Sequence, residues 1–116
     1  MTEVNQEAQL AEIEISLEQA KEVVAMGLAL QRLYSNQDFI KVIGDGYFKD
    51  EALRLVYLKG DSVLDAEAMK DVDNQITAIG LLRTYFRRLM GQAQQAQQAI
   101  QDMQDMQHEM LNGEDV

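Results

Sequence analysis

Between Val72 and Met110 a single stripe runs at heptad spacing with no proline to interrupt it. Val72, Gln75, Ile79, Leu82, Phe86, Leu89, Ala93, Ala96, Ile100, Met103, Gln107 and Met110 follow in alternating steps of three and four. Ten of the twelve are apolar, and that spacing keeps them on one face of a helix. The stripe predicts one long helix from about Asp65 to Asn112. At about 1.5 Å per residue it would reach roughly 70 Å. A globular chain of this size spans only about 30–35 Å, so the helix protrudes, breaks at Gly91 and folds back, or pairs with other chains. A helix longer than its own domain points to assembly or binding rather than to chemistry.

The stripe changes character along its length. Up to Met90 it carries large side chains (Ile79, Leu82, Phe86, Leu89), which suit a core. After Gly91 the sequence turns to Gln-Ala repeats and then to Ile100, Met103, Met106 and Met110. Alanine and methionine pack adaptably but supply less hydrophobic drive. Ala93, Ala96, Ile100, Met103, Met106 and Met110 are therefore the expected contacts with a partner or a second copy, as a coiled coil or docked helix. Asn112-Gly113 reads as the helix C-cap and 114–116 as a loose tail.

Three Ser-x-x-acid/amide signals punctuate the chain: Ser16…Gln19, Ser35…Asp38 and Ser62…Asp65. Each stands before an apolar-periodic run, as a serine that accepts from an orphan backbone N–H would. They divide the sequence into a helix over about Leu17–Tyr34, a short one over Gln37–Ile43, a third over Asp50–Lys59, and the long helix. Gly27 fits a close helix crossing. Gly44-Asp45-Gly46 reads as a turn, and Leu53, Leu55, Val56, Tyr57 and Leu58 read as the inward face of the third helix. Met1–Ile15 lacks obvious helical periodicity and reads as an extended acidic arm. The expected organisation is an all-α fold: arm 1–15, helical body 16–90 of three shorter helices packed on the long one, Gln/Met-rich extension 91–112, and tail 113–116.

Composition narrows the functional classes. The absence of proline suits uninterrupted helices. The absence of cysteine excludes disulfides and thiolate metal sites and fits a reducing compartment. No apolar run is long enough for a membrane span, and the acidic N-terminus is unlike a signal peptide. The net charge of −10 disfavours nucleic acid and anionic membranes as partners.

No catalytic constellation emerges. Gly44-Asp45-Gly46 lacks the strand and the Gly-Lys-Ser/Thr ending of a phosphate loop. Asp71-Val72-Asp73-Asn74 lacks the glycine and distal glutamate of a calcium loop. His108, the only histidine, sits in a polar helical context with no pocket to hold it. No cofactor, metal or small-molecule substrate is expected, and the chain reads as non-enzymatic. Arg83, Arg87 and Arg88, interleaved with Tyr85 and Phe86, are the expected contacts for an acidic or polar partner, including acidic arms of the same protein.

Three segments resemble a known group: Ile13–Lys21, Asp38-Phe39-Ile40 with Gly46–Val56, and Ala78–Phe86. They look like small acidic helical proteins of tailed bacteriophages, often encoded among virion genes. The similarity covers about residues 13–88. It implies a viral structural or assembly protein, found in the virion or the bacterial cytoplasm, with itself or other virion proteins as partners. The alternative is an acidic modulator that blocks a host protein.

Overall fold

A computed structural model describes residues 2–61 and 63–113, with side chains placed from Asn5. The chain is all-α, with no strand among the described residues. Helix α1 spans Thr2–Tyr34 and α2 is a single turn, Gln37–Phe39. A π-helical segment, Ile40–Glu51, leads into α3, Ala52–Asp61, and α4 runs from Ala66 to Asn112. The chain divides into two compact units. Met1–Ala29 and Leu89–Val116 make the first, and Leu30–Arg88 makes the second.

The first unit is an antiparallel pair formed by the N-terminal part of α1 and the C-terminal part of α4. Gln6 Nε2 donates to the Met110 carbonyl at 2.9 Å, and Gly27 faces Ala93 at the other end. The expected extended arm is thus helix. Leu10, Ile13, Leu17, Ala20, Val24 and Gly27 are buried or half-buried in steps of three and four, a second heptad stripe that the isolated polar start of the sequence obscures. Its partner is the thin stripe of α4, which passes through Gly91 without a break. Gly27 is needed because a Cβ there would overlap that of Ala93, so the expected close crossing is present. Ser16 lies inside α1 rather than at its start.

The second unit holds the larger side chains. Leu55, Val72 and Ile79 are buried, packed with Tyr47, Phe48, Leu58, Leu64 and Ile76. Each such burial contributes about 1.5–3 kcal/mol. Ile76, not the exposed Gln75, continues the stripe beside Val72. Phe86 is the hub of an aromatic cluster, with ring centroids 5.9 Å from Tyr34 and 6.0 Å from both Phe39 and Phe48. The edge-to-face pairs with Tyr34 and Phe48 each add about 0.5–1.5 kcal/mol beyond their burial. Lys59 Nζ ties α3 to α4 through Asp73 Oδ1 at 2.7 Å.

Two expected features differ here. Gly44-Asp45-Gly46 is not a turn, since neither glycine has positive φ and both lie within the π segment. The apolar spacing favours a continuous helix over a turn. Ile40, Gly44 and Phe48 recur every four residues, as do Phe39, Ile43 and Tyr47, and all six are half-buried. Spacing at i, i+4 and i+8 keeps each set along one side of a continuous helix, which here is wound wider, with i→i+5 hydrogen bonds. The α3 face also differs: only Leu55 is buried and Leu58 half-buried, while Leu53, Val56 and Tyr57 are exposed.

The caps shift as well. Asn36 Oδ1, not Ser35, accepts from Phe39 N, and Ser35 Oγ donates to the Gln31 carbonyl. Asp65 Oδ1 accepts from Ala68 N at 2.7 Å and so caps α4, while Ser62 lies outside the described residues. Gly113 has no positive φ, so it does not form the left-handed cap expected of it. The tail 114–116 lies outside the described residues.

Candidate interaction surfaces

The expected partner-contact stripe of α4 is largely occupied within the chain. Ala93 is buried against Gly27, and Ala96, Ile100, Met103 and Met110 are half-buried along the same line. Heptad spacing alone does not say which helix fills the seam, and here it is α1 of the same copy. Met106 is the exception, at 51% exposure. It opens onto a groove of about 370 Å³ between the two helices, lined by Gln9, Glu12, Ile13 and Ser16 of α1 and by Met103, Met106 and Met110 of α4.

The three arginines lie at the end of the second unit. The Arg83 guanidinium sits 5.9 Å from the centroid of Phe48, and that of Arg88 sits 5.5 Å from the centroid of Tyr85. Arg87 is exposed. Among the described residues the ion pairs are Lys21–Glu18, Arg54–Glu51 and Lys59–Asp73. No acid occurs between Asp73 and Asp102, which deprives the three arginines of i,i+4 partners on α4.

Apolar side chains remain in water on two faces of this unit. Leu53, Val56 and Tyr57 line the outer side of α3 at 45, 52 and 63% exposure, and Leu81 and Tyr85 do so on α4 at 64 and 41%. The i, i+3, i+4 spacing of the α3 set was visible in the sequence. Its direction was not, because alternate faces of a short apolar helix read alike.

The charge is divided along the same line as the fold. The first unit holds eleven acids against one lysine, Lys21, and the second holds nine acids against nine bases. The whole net charge of −10 therefore belongs to the helix pair. Four carboxylates of the second unit, Glu51, Asp65, Asp71 and Asp73, are engaged locally. Arg54 donates to both oxygens of Glu51, and that hydrogen bond holds the Glu51 carboxyl below its usual range. Gln75 donates to Asp71. No group of three His, Asp or Glu side chains among the described residues could hold a metal ion. His108 is exposed, its Nε2 2.9 Å from the Asn112 amide nitrogen. No described helix is long and apolar enough to cross a membrane.

A scan against protein-family models finds no match, and comparisons with curated proteins and with solved structures find none.

Proposed function

We propose that this chain is a non-enzymatic structural or assembly protein that works by helix-mediated association, with further copies of itself or on a larger particle. The observation that carries this reading is the apolar surface left in water on the second unit: Leu53, Val56 and Tyr57 on α3, and Leu81 and Tyr85 on α4. Contiguous exposed apolar residues at helical spacing are the usual mark of an interaction surface. The resemblance of residues 13–88 to small acidic helical phage proteins supplies the setting we propose, a virion component or assembly factor made in a bacterial cytoplasm. Sedimentation of the purified protein over a wide concentration range tests self-association. Species heavier than one 13.2 kDa chain are expected, and a strict monomer throughout would overturn it.

The concentration of charge on the helix pair favours a second reading, an acidic modulator that covers a basic surface of a host protein. Mass spectrometry of purified particles separates the two. A structural component appears there in fixed proportion to the other particle proteins. A modulator is missing from the particles and is instead recovered on a host protein in a complex that salt dissociates.

A further inference from the structure

The groove in the first unit and the arginine face of the second have matching chemistry. The groove has an apolar floor of Ile13, Met103 and Met110, with the exposed Met106 at its edge and Glu12 in its wall. It belongs to the unit that carries the whole net charge of −10. Methionine side chains are unbranched and polarizable, so such a floor accepts an apolar anchor of irregular shape. A complementary occupant would present one or two apolar or aromatic side chains flanked by bases and free of acids.

The second unit presents such a surface. Leu81, Tyr85 and Arg88 share one side of α4 by their i, i+4, i+7 spacing, and all three are exposed. Arg88 stacks on the Tyr85 ring, which holds an aromatic anchor and a cation together. Arg87 adds a further exposed charge nearby, and no acid lies on α4 between Asp73 and Asp102. Among the described residues none of the three arginines is in an ion pair.

We propose that the Leu81–Tyr85–Arg88 face of one copy docks on the Met103–Met106–Met110 groove of a second copy. This deepens the association reading above and rests on it. The two surfaces differ, so each copy offers one groove and one arginine face to other copies. Charge complementarity argues for a second copy. Surplus acid on one unit meets locally unopposed base on the other, and the attraction weakens as salt screens it.

Two variants and their mixture test the proposal. Met106→Arg places a cation at the groove edge at an exposed position, and R87E/R88E reverses the charge of the other surface. Circular dichroism and thermal melts first establish that both variants fold. Light scattering of the wild-type protein is expected to show a mass that rises with concentration and falls with added salt. Each variant alone is expected to remain monomeric, because one of its two surfaces is spoiled. Mixed in equal amounts they retain one intact groove and one intact arginine face. They are therefore expected to form a dimer and nothing larger. If the wild type associates but the variants associate equally well alone, or their mixture stays monomeric, this contact is wrong while the association reading stands. If the mixed variants continue to large species, the contact is not the one proposed. A wild type that is monomeric under all conditions overturns both the contact and self-association.

Discussion

Gly27 shows how much one missing methyl group decides. A helix interior ordinarily disfavours glycine by about 1 kcal/mol relative to alanine, so Gly27→Ala would stabilise α1 if nothing stood opposite. Ala93 stands opposite, and a Cβ at position 27 would overlap it. Overpacking of this kind costs about 1–3 kcal/mol, which outweighs the propensity gain. Gly27→Ala is expected to lower the melting temperature, and adding Ala93→Gly is expected to restore part of the loss. Gly80→Ala is the control. Nothing lies within 4 Å of a Cβ there, so that change is expected to raise the melting temperature.

The Glu51–Arg54 pair belongs to the same scale. Its hydrogen bond to Arg54 lowers the carboxyl pKa in the folded chain. A depressed carboxyl stabilises the fold above its unfolded pKa, and that contribution disappears as the pH falls through the lowered folded value. The pair is solvent-exposed, so its effect at neutral pH is small. Glu51→Gln is expected to leave the neutral melting temperature almost unchanged while making the acid side of a melting-temperature profile less steep.

At the scale of elements, the π segment Ile40–Glu51 is the part least legible in the sequence. Its glycines advertise a turn, and its apolar repeat at i, i+4 and i+8 fits a helix without telling an α turn from a wider one. The backbone instead continues as a widened helix, with Ile40, Gly44 and Phe48 half-buried along it. The two glycines then have unequal roles. A Cβ on Gly46 would lie 3.1 Å from the Lys41 carbonyl oxygen, five residues back, whereas one on Gly44 would meet only Ile40 at 3.9 Å. Thermal denaturation should therefore find Gly46→Ala destabilising, by about 1 kcal/mol or more. Gly44→Ala should be neutral or stabilising. Equal effects at the two positions would contradict the widened turn.

The capping serines teach a related lesson. Ser35 and Ser16 have the right spacing for a cap but stand in the wrong place. Asn36 and Asp65 cap instead, because any short polar side chain at a helix start can accept from the exposed N–H groups. Several candidates within two or three residues are nearly equivalent until the chain around them is fixed.

Across the whole molecule, the two units differ in what holds them. The second buries Leu55, Val72 and Ile79 and surrounds Phe86 with other rings. The first closes on glycine, alanine and methionine, with Ile13, Leu17 and Ala93 as the buried hydrophobic side chains among its described residues, and it carries the self-repelling charge of −10. Amide hydrogen exchange is expected to be slowest around Leu55, Val72 and Ile79, and faster along Ile13–Gly27 and Ala93–Met110. Added salt is expected to slow exchange more in the acidic pair, by screening its repulsion. A uniform rate across both units would mean that they open as one.

The sequence by itself determined that the chain is helical, that α4 is long and unbroken by proline, and that its large side chains end near Met90. Those properties follow from backbone propensity and from periodicity within a single element, both local in the chain. It also contained the charge division, since that is a count along the sequence. Only the tertiary structure decided what the Ala/Met stripe touches. A heptad seam presents the same chemistry to α1 of its own copy as to a helix of another. The choice turned on a second, weaker stripe starting at Leu10 and on a glycine at position 27 small enough to admit Ala93. With that seam closed within the chain, the association we propose falls to the exposed edge of the methionine groove and to the apolar and arginine faces of the second unit.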